Sequence, residues 1–321
     1  MKFPFKQTGL TIIELMIAVA LGVTLLAGVL QIFDANNQSG RLQTAFARVQ
    51  ESGRIATDML ARDIRNADYW GCAPDASGII SNLNPGAGNY LDSLLGGGLD
   101  GENDVVTEEV GGLDVIAGTD TLILRGGYSP DDVGLDNHQP HGTAIHLRAG
   151  SGAFVESCGI YVLTNCNGSG DIFQNTGASG ASADNMGHNS GSCTPGNQSY
   201  GAAGNWGSGE VYGEDTSLLI PYETTYFLAA GVNGQPSLFK QINSNTPQEL
   251  VPNVVDMQIL YGEDSSGNGS VDNFDDASGV TMGRVAAVRI ELTVQSQELM
   301  ANGNPLRRTY TSTTNIRNRS L

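Results

Sequence analysis

The chain has 321 residues, of which 40% are apolar, 16% are charged and 43 are glycine. This length allows a large core in one or two domains, and the composition favours an exported, β-rich protein over a cytosolic helical one. Seven basic and five acidic residues up to Ala67 give a net charge of +2, whereas nine basic and 29 acidic residues beyond it, in the head, give −20. So acidic a head repels phosphate backbones, and direct binding of nucleic acid is not expected.

The chain begins with a short leader and an apolar helix. Residues 1–9 read MKFPFKQTG, and residues 10–33 read LTIIELMIAVALGVTLLAGVLQIF, with Glu14 as the single charge in the second stretch. At about 1.5 Å per residue, a helix of this length spans the hydrocarbon core of a bilayer. Because Lys2 and Lys6 precede the helix, the positive-inside rule places the N-terminus in the cytoplasm and the head outside.

Glu14 separates three interpretations of this segment. An ordinary signal peptide would be cut near residues 18–20, yet the apolar run continues to Phe33. A plain signal anchor gains nothing from a carboxylate that costs roughly 2.5–3.5 kcal/mol within a membrane helix. Cleavage between Gly9 and Leu10 gives Glu14 a role, because it becomes the fifth mature residue and neutralises the new amino terminus of its own chain or of a neighbour.

Residues 9–21, GLTIIELMIAVAL, resemble the processing site of type IV pilins and pseudopilins. The resemblance implies that a prepilin peptidase cleaves after Gly9 and methylates the new N-terminus at Leu10. The usual first mature residue in these proteins is Phe, and this chain has Leu. The resemblance also implies a subunit that is first held in the inner membrane, with its head in the periplasm, and later enters an extracellular pilus at the cell surface.

Residues 34–67 are polar but keep a helical pattern. Apolar side chains recur at spacings of three, four or seven: Leu42, Phe46, Val49, Ala56, Leu60 and Ile64. This stripe predicts one long helix over residues 10–67 that packs an apolar face against the head, with weak points at Gly22, Gly28, Ser39-Gly40 and Gly53. The facing residues are mostly arginines: Arg41, Arg48, Arg54, Arg62 and Arg65. They either form a solvated face or contact the acidic heads of neighbouring subunits.

Residues 41–72, RLQTAFARVQESGRIATDMLARDIRNADYWGC, are similar to the minor pilins of the PilW family, whose arginine-rich helix ends in a Tyr-Trp-Gly-Cys turn. Four later pieces are similar in the same order: 164–176, 254–264, 285–292 and 307–319. The resemblance implies a minor pilin that contributes to pilus assembly and initiation near the tip, and hence to twitching motility, adhesion or DNA uptake. The implied partners are prepilin peptidase, the inner-membrane assembly machinery, other major and minor pilins, and a tip adhesin.

Residues 68–321 predict a β-rich head. The clearest strand is 285–294, where apolar and polar side chains alternate. Further strands are predicted at 121–125, 160–165, 224–230, 237–242, 257–261 and 308–316. Consecutive strands without intervening helical patterns favour antiparallel sheets. The predicted fold class is α+β and type IV pilin-like: a long N-terminal helix, apolar in its first half and amphipathic in its second, on a head of antiparallel strands.

The four cysteines lie in the head, and none forms a CxxC pair: Cys72, Cys158, Cys166 and Cys193. An even number of cysteines in an exported region predicts two disulfides rather than a zinc site. Of the three pairings, Cys166–Cys193 is favoured because it would close a floppy segment. That segment, residues 167–209, is rich in Gly, Ser and Asn and is predicted as a long loop, either an idle surface or a contact region at the tip.

Residues 264–275 predict either a calcium loop or an acidic turn between strands. Side-chain oxygens occupy positions 1, 3, 5, 9 and 12 of the loop pattern, with Gly269 at position 6: Asp264, Ser266, Asn268, Asp272 and Asp275. The carbonyl of Ser270 would be the ligand at position 7. Ser at position 3 and Asp at position 12 depart from the usual pattern, and both interpretations stay open. No other cofactor is expected.

No nucleophile elbow, phosphate loop or His-Glu-x-x-His motif occurs in the sequence, and no enzymatic activity is predicted. Two functions other than that of a minor pilin stay open. One is a minor pseudopilin of a type II secretion system, whose N-terminus would look the same. The other is a membrane-anchored periplasmic binding domain that does not polymerise, for which the bond between Gly9 and Leu10 would stay uncut.

Overall fold

The computed structural model describes residues 11–85, 90–130, 135–138, 144–148, 155–177, 179–180, 185–191, 193–199, 207–213, 215–300 and 302–319. Its residues fall into two compact units. The first unit comprises residues up to Glu51 together with Ser296–Arg307, and the second comprises Ser52–Gln295 with the residues from Arg308 onward. The predicted cleavage site, Gly9 and Leu10, lies outside the described residues.

A single α-helix, α1, runs from Ile12 to Asn66, close to the predicted bounds. Thr11 caps its N-terminus, because the Glu14 N–H donates to the Thr11 hydroxyl at 3.3 Å. The helix continues through all four predicted weak points. Gly53 has a specific reason to be glycine: a Cβ there would lie 2.2 Å from the ring of Tyr310.

The buried face of α1 differs in part from the predicted stripe. In the second unit it consists of Gly53, Ala56, Leu60 and Ile64, all buried, as the spacing of three and four requires. In the first unit the buried residues are Ala45 and Val49. Leu42 and Phe46 were predicted to belong to the stripe, but they are 47% and 41% exposed. The smaller side chain of Ala45, rather than these two, lies on the covered face.

The head is built from seventeen described strands and one short helix, α2 (Tyr90–Ser93). In chain order the strands are β1 (Ile79–Ser81), β2 (Leu99–Glu102), β3 (Glu109–Val110), β4 (Leu113–Asp114), β5 (Thr121–Tyr128), β6 (Leu135–His138), β7 (Ala144–Leu147), β8 (Ile160–Thr164), β9 (Gly170–Gln174), β10 (Asn185–Gly187), β11 (Ser217–Ala230), β12 (Pro236–Ile242), β13 (Gln248–Pro252), β14 (Val254–Glu263), β15 (Asn273–Asp275), β16 (Val285–Leu299) and β17 (Pro305–Asn315). All seven strands predicted from alternation are present.

The largest sheet has eight strands, in the order β1-β9-β8-β11-β12-β13, with β5 beside β11 and β2 beside β5. Strand β11 is its centre, because it pairs with β8 at its start, with β5 in its middle and with β12 at its end. The other sheets are β15-β14-β16-β17, β10-β7-β6 and β3-β4. The pairs with a described register are antiparallel except β1 with β9, which confirms the α+β prediction at this level.

The prediction of one long loop at 167–209 is wrong for part of that segment. Residues 170–174 form β9, an interior strand whose five residues are all buried. Phe173 packs in a core with Tyr161 and Tyr212, and the buried carboxylate of Asp171 accepts hydrogen bonds from Asn82 and Tyr212. The buried polar residue Asp171 is tolerated in this strand because polar groups outside the strand form hydrogen bonds with it.

Glu108 supplies a test of how the head depends on pH. One carboxylate oxygen of Glu108 is buried without a hydrogen-bond partner among the described residues, and burial, followed by repulsion from Glu102, raises the pKa of Glu108. A raised pKa means that the folded state binds the proton more tightly, so this group lowers stability as pH rises above its unfolded pKa. We expect Glu108→Gln to raise the free energy of unfolding at pH 7 and to leave it nearly unchanged at pH 4.

Urea denaturation of the parent chain and the Glu108→Gln variant at both pH values measures this difference. Both chains share the other carboxylates of the head, so the contribution of those groups to the pH dependence of stability cancels in the comparison. An equal effect of the substitution at pH 4 and pH 7 would contradict the assignment.

Candidate functional sites: the apolar helix and its anchor

The first half of α1 is an uncovered apolar surface. Apolar side chains from Ile12 to Phe33 are exposed on every side of the helix, and no residue of this segment is buried. The hydroxyl of Thr24 donates to the carbonyls of Ala20 and Leu21, so this polar group is satisfied within the helix. By length and composition, the segment can cross a membrane.

Glu14 lies near the beginning of this apolar surface. Its carboxylate is exposed and forms no ion pair with the residues that the structure describes. Glu14 has a local role at the helix N-terminus, where its N–H donates to the Thr11 hydroxyl and its negative charge interacts favourably with the helix dipole. The sequence carries a signal for this role, Thr-x-x-Glu before an apolar run, which the sequence analysis missed.

The last turns of α1 are attached to the head through a partly buried ion pair and its hydrogen bonds. The carboxylate of Asp63 accepts hydrogen bonds from the Lys240 ammonium at 2.6 Å and from the Tyr226 hydroxyl at 2.5 Å. Burial, with the nearby negative charge of Asp63 as the next cause, raises the pKa of Tyr226. The hydroxyl therefore remains a hydrogen-bond donor throughout the physiological pH range.

Asp68, just beyond the helix, is the centre of the anchor. Its backbone is left-handed, with φ of 58°, and its N–H donates to the carbonyl of Arg125 on β5 at 2.8 Å. The two carboxylate oxygens accept from the Trp70 indole at 2.8 Å and from the Arg319 guanidinium at 2.5 Å. The side chains of Asp68 and Arg319 are only 4% and 10% exposed, so this ion pair is shielded from water.

The end of the chain completes the anchor. The Arg317 N–H donates to the carbonyl of Arg65 at 3.1 Å, and the Asn318 side chain donates to the carbonyl of Ala67 at 2.8 Å. These bonds satisfy carbonyls at the helix C-terminus that have no partner within the helix. Arg319 also donates to the carbonyls of Met282 and Val285. No local sequence signal connects residues 317–319 with the end of α1, because the contact spans some 250 positions.

We expect Asp68→Asn to lower the free energy of unfolding by about 3–5 kcal/mol, because it leaves the Arg319 guanidinium buried and unpaired. The matched control is Asp58→Asn. Asp58 lies 3.8 Å from Arg54 in an ion pair whose side chains are largely exposed, and an exposed pair is worth about 0–1 kcal/mol. Urea denaturation of the full chain in detergent measures both variants. Equal losses in the two variants would show that Asp68 does not hold a buried pair.

The Tyr-Trp-Gly-Cys turn at 69–72 follows Asp68 into the main sheet. Trp70 is fully buried, and its carbonyl accepts from the Thr164 hydroxyl at 2.8 Å. Gly71 has φ of 69°, and a Cβ there would lie 2.6 Å from the Cβ of Ser217. Both backbone conformation and close packing therefore require glycine at this position.

The four cysteines form two disulfides, as predicted, but the favoured pairing is wrong. The bonds are Cys72–Cys166 and Cys158–Cys193. Strand pairing decides this outcome: the turn at 69–72 lies beside the end of β8, so that the Cα atoms of Cys72 and Cys166 are 4.7 Å apart. The Cys72–Cys166 bond thus ties the chain just beyond α1 to the main sheet.

Gly71→Ala should destabilise the chain more than Gly234→Ala, which serves as its control. Both glycines have φ near 70°, but a Cβ at Gly234 would meet nothing within 4 Å. The control variant therefore carries only the strain of the left-handed backbone, whereas Gly71→Ala adds overpacking of about 1–3 kcal/mol. Thermal or urea denaturation of the two variants gives the difference. A difference near zero would contradict the close packing of this turn.

The predicted calcium loop forms an exposed turn between β14 and β15. The Asp264 carboxylate accepts from the backbone N–H groups of Gly267, Asn268 and Gly269, and Asp272 accepts from Ser265 and Ser266. Hydrogen bonds from these serines lower the pKa of Asp272. Within the described ranges, no group of three or more His, Cys, Asp or Glu side chains converges in a way that could hold a metal ion. Calcium binding stays a prediction.

The fold and these sites define a class of protein in which a membrane-capable N-terminal helix is followed by a β-rich head. A family model described as type IV pilus-assembly protein W, PilW, matches residues 225–318. Residues 225–318 are thus similar to a family of pilus assembly components, which is not a known enzyme family. No curated protein matches the chain, and no solved structure does.

Proposed function

We propose that the chain is a minor pilin of a type IV pilus and contributes to pilus assembly and initiation. The match over residues 225–318 carries the proposal. The matched region contains Tyr226, Lys240 and Asn318, which contact the last turns of α1 or the carbonyl of Ala67 just beyond them. The part of the head that resembles PilW therefore supplies several of the contacts that fasten the helix.

The exposed apolar half of α1 supports a role in which this segment passes from the membrane into a filament. Before assembly the segment 12–33 is covered by lipid, and in a filament it is covered by the equivalent helices of other subunits. Cleavage by prepilin peptidase after Gly9 and methylation of Leu10 create a cationic terminus four residues before Glu14. In either apolar environment, Glu14 and this terminus stabilise each other by pairing, in the same chain or between neighbours.

The proposal assigns the subunit to the inner membrane, with its head in the periplasm, and then to the extracellular pilus. Its partners are other pilins, prepilin peptidase and the membrane assembly machinery, with a tip adhesin as a further partner if the subunit lies near the tip. Motility, adhesion or DNA uptake follows from the pilus as a whole. Calcium at Asp264, Ser266, Asn268, Ser270, Asp272 and Asp275 would stabilise the turn at 264–275 outside the cell, where calcium is abundant.

Mass spectrometry of the N-terminal peptide tests the proposal. We expect a terminus at N-methylated Leu10 both in membranes and in filaments sheared from the cell surface. An intact Met1 terminus, or a cut near Ala20, would overturn the proposal and favour an anchored or secreted binding domain. The same Leu10 terminus in a secretion pseudopilus, rather than in surface filaments, would identify a pseudopilin.

Substitution of Glu14 tests assembly separately from cleavage. We expect Glu14→Gln to leave cleavage after Gly9 intact but to reduce the chain recovered in filaments at least about tenfold, because the terminus then lacks its counter-charge in an apolar environment. Asp34→Asn is the control, because Asp34 follows the apolar segment and bonds to Gln38 on the exposed helix surface. Equal recovery of the two variants would contradict the role of Glu14.

A further inference from the structure

Strand β17 is a long edge strand. It forms one side of the sheet β15-β14-β16-β17 and has eleven residues, whereas every other edge strand of the described sheets has at most five. After Pro305 at its start, the strand contains no further proline and no glycine. An edge strand presents a row of unpaired N–H and C=O groups, which is a template for one more strand.

The free backbone groups of β17 belong to every second residue. The Ile316 N–H donates to the carbonyl of Ala286 on β16 at 2.8 Å, and side-chain bonds between the two strands keep the same register. In an antiparallel pair the N–H and C=O of one residue point to the same side, so the even-numbered residues of β17 bond to β16. The backbone groups of Thr309, Thr311 and Thr313 point away from β16, to a side where no further strand lies within the described ranges.

A cleft of about 360 Å³ opens beside the end of this edge. Thr313 and Asn315 of β17 line it together with Val271 and Phe274, and the Arg289 guanidinium lies 4.0 Å from the centre of the Phe274 ring. The cleft therefore offers an apolar wall to a side chain of an added strand. In strand addition, main-chain hydrogen bonds supply affinity and pockets of this kind supply specificity.

The two ends of the edge differ in charge. Arg307 and Arg308 stand at its start and are exposed, and residues 305–319 include four arginines and no acidic residue. The other end adjoins the acidic turn at 264–275, because Val271 of that turn lines the cleft with Asn315. An added strand is therefore complementary if it carries an acidic residue at the end beside Arg308 and none at the other end.

A second copy of β17 does not meet this requirement. A Cβ at Gly53 would lie 2.2 Å from the Tyr310 ring, and the Arg317 N–H donates to the carbonyl of Arg65, so β17 runs beside the last turns of α1 in the same direction. In the proposed function the helices of neighbouring subunits lie side by side and point the same way, and two copies would present parallel β17 strands. Parallel pairing would place the arginines at the start of one strand beside those of the other, which is unfavourable.

We propose that the edge of β17 from Arg308 to Asn315 pairs with an extended segment of a different pilus protein. This segment has uncharged, β-branched residues in its middle and an acidic residue at the end beside Arg308. It extends the sheet by one strand through the backbone groups of Thr309, Thr311 and Thr313. The inference rests on the proposed function, which supplies other pilus proteins as neighbours, and it adds the surface and the kind of segment that they use.

Binding of a synthetic strand to the full chain in detergent tests this surface. The probe is the fluorescently labelled peptide TVTVTVE, whose glutamate lies beside Arg308 when the peptide pairs antiparallel to β17. We expect its fluorescence anisotropy to saturate below about 1 mM of the chain. Amide exchange of Thr309, Thr311 and Thr313 should slow at least about tenfold in the complex, whereas Tyr310 and Ser312, which bond to β16, should change little.

Two control peptides separate strand pairing from other contacts. The first is the same peptide N-methylated at two adjacent central residues, which blocks both of its backbone edges and leaves its side chains unchanged. It should bind at least about tenfold more weakly, because pairing needs the free N–H groups. The second, TVTVTVK, places a like charge beside Arg308 and should also bind more weakly. Equal binding of all three peptides would overturn the proposal.

Substitution of Thr311 tests the same contact from the side of the chain. Thr311→Pro removes an N–H that points away from β16, and an edge strand tolerates proline at such a position. We expect it to weaken binding of TVTVTVE at least about tenfold. Thr311→Val keeps the N–H and the branched side chain and should bind as the parent does. Equal affinities of the two variants, or protection of amides on another strand, would contradict pairing at β17.

These measurements do not depend on processing of the N-terminus. A chain that shows the Leu10 terminus in filaments but does not bind the peptide would retain the proposed function and lose the strand contact. Selective binding by a chain that is never cleaved after Gly9 would keep the strand contact and overturn the proposed function.

Discussion

The structure depends on one buried ion pair, between Asp68 at the end of α1 and Arg319 near the end of the chain. Through Asp68 the helix end is joined to β5, to the Trp70 indole and to the residues around Met282 and Val285. A buried ion pair contributes little net stability compared with a well-packed apolar pair, but the loss of one partner is expensive. Its value here is geometric, because it fixes where the chain leaves the helix and enters the head.

The junction at Asp68 matters because the two ends of α1 lie in different surroundings. The segment from Ile12 to Phe33 exposes apolar side chains on all sides and needs lipid or other helices around it. The turns from Ala56 to Ala67 bury small and aliphatic side chains in the acidic head. The ion pair of Asp68 with Arg319 holds the junction between the helix end and the head. The tie of Cys72 to Cys166 and the close packing of Gly71 strengthen the same junction.

Local pattern in the sequence was sufficient to predict α1 and the alternating strands, because side-chain periodicity reports directly on helices and half-buried strands. Prediction from local pattern failed where contacts between residues far apart in the sequence determine the structure. The side chain of Leu42 fits a stripe as well as Ala45 does, and only the fold shows that Ala45 is the covered residue. Strand β9 is interior although its segment is rich in Gly and Asn, because Asn82 and Tyr212 satisfy Asp171. The pairing of Cys72 with Cys166 and the role of Arg319 depend on contacts across 94 and 251 positions.

Amide hydrogen exchange of the full chain in detergent tests most directly whether the helix end is anchored. We expect amides of residues 56–68 to exchange as slowly as those of β11, because both open only when the head unfolds. Residues 34–44, whose side chains are all exposed, should exchange faster. If residues 56–68 exchange as fast as residues 34–44, the helix end opens independently of the head, and the anchor at Asp68 does not hold it.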